Sequence, residues 1–159
     1  TGTIKQAVLN VIYLHYDISL DIYDGVLGDT YTIENDTTFT ATTHVRAKLN
    51  ITASDTLPGG TIYEVTGSGV YYDGQTAAIT LWVIFNSDGE VAKILVPESV
   101  YGHSKFLITN NNAFLDGFIG DTFADINATI QAFDGQTGAT NTRLVMETLL
   151  EALVSEVSN

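Results

Sequence analysis

The sequence predicts an α+β fold: a twisted antiparallel sheet with an N-terminal helix and a C-terminal amphipathic helix packed on it. Three observations carry this expectation. Near the C-terminus Met146, Leu149, Leu150, Leu153, Val154 and Val157 fall at i, i+3, i+4, i+7, i+8 and i+11, the spacing of one apolar helix stripe. Between residues 38 and 96, runs rich in β-branched and aromatic residues alternate with Gly-containing turns. Near the N-terminus Ile4, Ala7, Val8, Val11, Ile12 and Leu14 again keep helical spacing.

Taken in order, the N-terminal helix occupies part of residues 3–22 and frays near Asp17, where Ile18, Leu20 and Ile22 begin to alternate with polar neighbours. Asp24-Gly25 and Gly28-Asp29 read as turns. Over residues 38–53, Val45, Ala47, Leu49 and Ile51 alternate with His44, Arg46, Lys48 and Asn50, a half-buried strand with one wet face. After Leu57-Pro58-Gly59-Gly60 a second strand covers residues 62–72, with a break expected at Gly67 and Gly69. The apolar run over residues 78–85, holding Trp82, reads as a central strand. Asn86-Ser87-Asp88-Gly89 makes a hairpin loop, residues 91–96 pair back, and Pro97 closes that strand. Three to four strands in meander order follow. A short helix is expected near residues 111–118 and a final strand near residues 128–133. The last helix starts from residues 138–141, with Thr140 or Asn141 as its N-cap.

At 159 residues the chain suits one domain, 1–159, able to bury a core without disulfide or metal staples. Nineteen acidic residues against six basic ones give a formal charge of -13. Such a surface repels phosphate backbones, which excludes nucleic acid as a partner, and it disfavours anionic lipid headgroups. Cysteine is absent, which rules out thiolate iron–sulfur and zinc ligation and a cysteine nucleophile. Redox chemistry in this chain therefore requires a non-thiol cofactor. Residues 7–14 are too few and too interrupted to cross a bilayer. The chain opens on Thr1, not Met, which reads as a processed form or an expressed fragment; removal of an upstream signal or anchor is compatible with this and is not visible in the sequence.

Several constellations carry nothing specific. His15, His44 and His103 are far apart and lack an i,i+4 partner, so no metal site is expected. Asp21, Asp24 and Asp29, like Asp116, Asp121 and Asp125, fit no EF-hand spacing and read as a solvated acidic face. His103-Ser104 has no nucleophile elbow around it. Gly67-Ser68-Gly69 is too short for a dinucleotide loop and reads as a strand bend.

The segment Asp134-Gly135-Gln136-Thr137-Gly138-Ala139-Thr140 is more informative. A hydroxyl that is to carry a phosphodiester must be exposed, must have small neighbours, and gains from free N–H groups at a helix start. Thr140, with Gly138 and Ala139 before it, meets these conditions on the expected structure. Geometry alone favours a Gly-containing turn with a Thr cap, since Ser and Thr caps are ubiquitous.

Asp134-x-x-Thr137-Gly138-Ala139-Thr140 resembles the Asp-x-x-Ser/Thr-Gly-Ala-Thr/Ser signature of the FMN-binding domain family. That family includes the covalently flavinylated, membrane-associated subunits of Rnf-type and sodium-pumping NADH:quinone oxidoreductase complexes. Ordinary residue usage matches five such positions by accident in on the order of one chain per thousand. Residues 63–72, with their Gly-x-Gly followed by aromatics, are similar to a strand of the family. Residues 79–90 are similar to its apolar strand, Asp-Gly turn and return strand. The resemblance covers about residues 61–157; residues 1–56 match only as a variable N-terminal helix and strand region.

The resemblance implies an extracytoplasmic electron carrier, periplasmic or at the cell surface, with covalent FMN on Thr140. It implies a flavin transferase using FAD, a membrane or extracellular redox partner, and a tether in a segment outside this sequence. Thr140 would bear the phosphate. Asp134 and Thr137 would be read by the transferase, while Gly138 and Ala139 keep the approach open. Tyr71, Glu98 and Ser99 would pack against or hydrogen-bond the isoalloxazine, and few cations near the ring imply a low potential. Three departures stand out, the first being that the family often has an aromatic followed by a longer Gly-rich segment near Tyr71. The family's Glu-Thr-Pro-Gly stretch falls at residues 98–102, where Glu98 and Gly102 match and Ser99 replaces Thr; Asn141-Thr142 replaces its Thr-Ser pair. These place the chain outside the core subunits of those complexes. A secreted or cell-surface β-rich binding module without cofactor is the competing reading, and a domain holding FMN without a bond is a third.

Overall fold

The β-branched and aromatic segments extend and pair in the order in which they occur. The computed structural model of the chain describes residues 24–28, 30–72, 74–96, 103, 105–135 and 137–157. Its sheet comprises β1 (Tyr31–Asn35), β2 (Val45–Ser54), β3 (Gly60–Tyr72), β4 (Gln75–Asn86) and β5 (Val91–Leu95), antiparallel throughout in the order β1-β2-β3-β4-β5. This is the expected meander with one strand more than the sequence suggested. The extra strand, β1, is five residues long and buries only Tyr31 and Ile33, too short a pattern to stand out. The β4–β5 turn forms as expected: Asn86 Oδ1 accepts the N–H groups of Asp88 and Glu90, both at 3.0 Å.

Both faces of the sheet are apolar at its centre. Residues 79–85 of β4 are all buried, which the period-two alternation of a strand divides between two layers. Ile79, Leu81, Val83 and Phe85 join the core that contains Met146, Leu149, Leu150 and Leu153. Trp82 and Ile84 join a second cluster with Leu27, Tyr31, Ile33, Leu49, Ile51 and Ile62. Full burial of each such side chain contributes about 1.5–3 kcal/mol relative to exposure.

The helices are α1 (Asp24–Leu27), α2 (Lys105–Thr109), α3 (Asn112–Asp116), α4 (Phe123–Ala132) and α5 (Thr140–Val157). The expected N-terminal helix over residues 3–22 lies outside the described residues. Asp24 and Gly25, read as a turn, open the short α1 instead. The strand expected near residues 128–133 is a helix, α4. Its start is decided upstream, where the Asp125 carboxylate accepts the Thr122 N–H at 3.0 Å and the Thr122 hydroxyl at 2.9 Å. Ile126 and Ile130 then bury one face at i, i+4. Asp116, expected in a merely solvated acidic face, sits 2.6 Å from Lys93 Nζ.

The C-terminal amphipathic helix is α5, packed on the sheet. It buries Thr142, Val145, Met146, Leu149, Leu150, Ala152 and Leu153. Contrary to expectation β3 does not break at its glycines, which pair in register as Gly67↔Ile79 and Gly69↔Ala77. They serve the helix instead. A Cβ on Gly69 would lie 2.2 Å from Val145 Cγ2, and one on Gly67 2.7 Å from Leu149 Cδ2. At the far end of α5 the Glu156 carboxylate accepts the His44 N–H at 2.9 Å and meets His44 Nδ1 at 2.7 Å. Burial pushes that carboxyl up, but hydrogen bonds from Thr42 and from His44, with the His44 charge, outweigh it and hold it at about 2.

Two outcomes follow from this packing. Gly69→Val should destabilise the fold by about 1–3 kcal/mol through overpacking, and Val145→Ala added to it should recover part of the loss in chemical denaturation. Because the folded Glu156 carboxyl titrates below its ordinary 4.5, its stabilisation is complete above 4.5 and disappears as pH falls toward 2. The stability gap between the wild type and Glu156→Gln should therefore close across that interval in acid titrations.

Candidate functional site

The segment from Asp134 to Thr140 is the loop that feeds α5. Asp134 and Gly135 are exposed at its start. Thr137 Oγ1 then accepts the Ala139 N–H at 3.2 Å, a local side-chain turn. Gly138 takes φ +75°, the left-handed region that L side chains disfavour, and a Cβ there would meet nothing closer than Asn110 Nδ2 at 3.5 Å. Backbone conformation, not crowding, is what requires glycine at this position.

Ala139 is buried, and its carbonyl accepts the Arg143 N–H at 3.0 Å, the first turn of α5. Neither Thr140 nor Asn141 is thus the N-cap. Ala139 precedes the helix, and Thr140 is its first residue. The Thr137 bond reaches only the Ala139 N–H, one residue before the helix, so among the described residues it does not cap the first turn. The Thr140 side chain is exposed and forms no hydrogen bond among the described residues. The N–H groups of residues 140–142 have no intrahelical acceptor, so the hydroxyl stands beside a cluster of backbone donors.

Arg143 closes the loop from the other side. Its Nη1 donates to the Gly135 carbonyl at 3.3 Å, its guanidinium lies 5.1 Å from the Phe133 ring centroid, and its Nε is 3.7 Å from Glu147 Oε1. A cation is therefore held within the loop that carries Asp134 and Thr140.

Beneath the same turn lies a buried polar group that the sequence did not single out. Thr142 is fully buried, and its hydroxyl lies 2.8 Å from His103 Nδ1. His103 Nε2 is 3.1 Å from the Ala77 carbonyl of β4. A carbonyl only accepts, so Nε2 carries the proton, Nδ1 accepts, and the Thr142 hydroxyl donates. Asn111, also fully buried, donates from Nδ2 to the Leu107 carbonyl at 2.8 Å and the Ala139 carbonyl at 3.3 Å. His103 and Thr142 are 39 residues apart, and no local pattern links them.

Tyr71 belongs to this end of the molecule. Its ring lies 4.9 Å from that of His103, and its hydroxyl donates to Gln75 Oε1 at 2.9 Å. The structure thus brings Asp134, Thr137, Gly138, Ala139 and Thr140 into one loop and joins Tyr71 to it through His103. Glu98 and Ser99 lie outside the described residues. Among the described residues an open cleft of about 370 Å³ is lined by residues including Tyr63, Phe85 and Phe123, and another of about 540 Å³ by residues including His44, Glu151 and Glu156. Among the described residues no His, Cys, Asp and Glu cluster is placed to hold a metal ion, and no helix is long and apolar enough to cross a membrane. No protein-family model, curated protein or solved structure matches the chain.

Burial holds the His103 ring below its ordinary 6.5, against hydrogen bonds to the Ala77 and Gly69 carbonyls. A histidine kept neutral by the fold stabilises it above the unfolded value, and that contribution falls as pH drops below 6.5. The difference in melting temperature between the wild type and His103→Gln should therefore narrow as pH is lowered from 7 to about 5.

Proposed function

We propose that this chain is an extracytoplasmic flavoprotein electron carrier, with FMN joined through its phosphate to the Thr140 hydroxyl. The observation that carries the reading is the place of that hydroxyl. It is exposed on the first residue of an 18-residue helix, within the residues that resemble the flavinylation signature. The residues present suit the group. Gly138 is exposed and has no side chain to crowd the approach, the amides of residues 140–142 lack intrahelical acceptors, and the Arg143 guanidinium is held against the loop.

In this reading the FMN supplies the electron-transfer chemistry, and the protein holds and orients it. Thr140 provides the anchor. The amides of the first turn and Arg143 balance the charge of the diester. Asp134 and Thr137 are the side chains a flavin transferase reads, with FAD as donor; Asp134 is exposed and Thr137 shapes the backbone before Ala139. Tyr71 is the described residue nearest to a ring contact, by its place beside His103. The electron partner is a membrane-associated or extracellular redox protein, reached by a tether outside this sequence. The acidic surface suits a partner that presents basic residues.

Co-expression with a flavin transferase should raise the intact mass by one FMN less one water and give in-gel flavin fluorescence. Thr140→Ala should abolish both while changing stability by no more than about 0.5 kcal/mol, as befits an exposed side chain. A wild-type chain that stays unmodified, or a Thr140→Ala chain that is still modified, overturns the assignment. The first of these outcomes favours the cofactor-free binding module.

A further inference from the structure

We infer that His103, Asn111 and Thr142 are positioning residues that set the direction of the Thr140 hydroxyl, an inference that rests on the proposed attachment at Thr140. Five polar side chains are buried among the described residues: Glu64, Thr80, His103, Asn111 and Thr142. Three of them converge on one turn of one helix. Buried polar groups add little net stability, since apolar replacements of the same shape are often neutral or better. Their gathering at this turn therefore calls for another explanation.

From Val145 to Leu153 the buried residues of α5 are apolar, and the next polar tie to the sheet described is that of Glu156 to His44, about four turns from Thr140. Apolar contacts tolerate small rotations and slides of a helix. Hydrogen bonds do not, because they fail within a few tenths of an ångström and a few tens of degrees. The Thr142 hydroxyl, through His103, ties the first turn to the Ala77 carbonyl of β4. Asn111 ties the Ala139 carbonyl to that of Leu107 in α2. Residues 139 and 142 are thus fixed on either side of Thr140.

Helix geometry converts this into direction. Two residues advance about 200° around an α-helix, so a fixed inward Thr142 makes Thr140 point outward. The exposures agree, Thr142 being fully buried and Thr140 exposed. As the Thr140 oxygen bonds the FMN phosphorus of FAD, the pyrophosphate P–O bond breaks, AMP leaves and the hydroxyl proton is lost to a base. An in-line hydroxyl gains from such a constraint, since small misplacements of reacting groups cost large factors in rate. Among the described residues none of the three hydrogen-bonds the Thr140 hydroxyl, and they act through the backbone.

The test uses the whole chain as substrate of a flavin transferase with FAD. Thr142→Val keeps the buried shape and removes the hydroxyl. It should lower the kcat of flavinylation by about tenfold to a hundredfold with little change in KM, while the melting curve still shows a folded chain at the assay temperature. Thr142→Ser should restore most of the rate. His103→Gln should reproduce the defect, and His103→Gln with Thr142→Val should be no slower than either alone, because both act through one bond; this series also serves if one variant is poorly folded. Modification of Thr142→Val and His103→Gln at the wild-type rate overturns the inference while leaving attachment at Thr140 intact. So does a rate loss that Thr142→Ser fails to restore. A wild-type chain that is not flavinylated overturns the attachment itself, and this inference with it.

Discussion

The close approach of α5 to β3 is the constraint on which the rest of the structure depends. Gly67 and Gly69 leave no Cβ where Leu149 and Val145 descend, so the helix lies nearer the sheet than side chains on that strand would permit. That depth lets Val145, Met146, Leu149, Leu150 and Leu153 reach the core formed by Val65, Ile79, Leu81 and Val83. It also brings the first turn of α5 within hydrogen-bonding range of His103, and its last turn within range of His44. A helix lifted by even one methyl would weaken apolar contacts and both polar ties together, because interiors pack too densely to absorb the shift.

The two ends of α5 are tied down by different physics. At the C-terminal end the tie is charged and partly exposed: Glu156 accepts from the His44 backbone and ring, with side-chain exposures of 34% for His44 and 20% for Glu156. Such a pair answers to pH and salt. At the N-terminal end the tie is neutral and buried, with His103 kept below its ordinary pKa. A neutral bracket leaves the electrostatics of the helix start to the backbone amides and to Arg143. A protonated histidine there would add a positive charge beneath Thr140 and make the field at that hydroxyl vary with pH.

How far sequence carried the fold depended on where each decision is made. The α5 stripe of six apolar residues and the apolar run of β4 are local and strong, and both were legible. The Asn86-Ser87-Asp88-Gly89 turn was legible because its side-chain bonds span only four residues. Residues 128–133 were misread because Thr129 and Ile130 suit a strand, whereas the choice is made by Thr122 and Asp125 upstream. Gly67 and Gly69 were misread because a glycine in a strand marks either a bend or a close approach, and only Val145 and Leu149, distant in the chain, decide which. For the proposed site, the residues from Asp134 to Thr140 are contiguous, so their pattern is visible in sequence. That of His103, Asn111 and Thr142 is not, because its significance lies in contacts between segments 28 and 39 residues apart.

A covalently held group changes what a fold must provide. A cofactor bound reversibly needs a cavity whose contacts exceed the entropy lost on binding. One bond to a side chain replaces that affinity with a fixed local concentration, so no deep pocket is needed to retain the group. What remains necessary is an anchor whose direction does not wander. In the proposed reading Thr140 is that anchor. The residues before and after this hydroxyl are held by buried hydrogen bonds and by a cation stitched into its loop. This arrangement suits a carrier, whose flavin must be held fast yet remain close enough to solvent to meet a partner. It suits a reversible binding module less well, because such a module needs its most ordered polar groups to face its ligand, not to lie beneath an exposed hydroxyl.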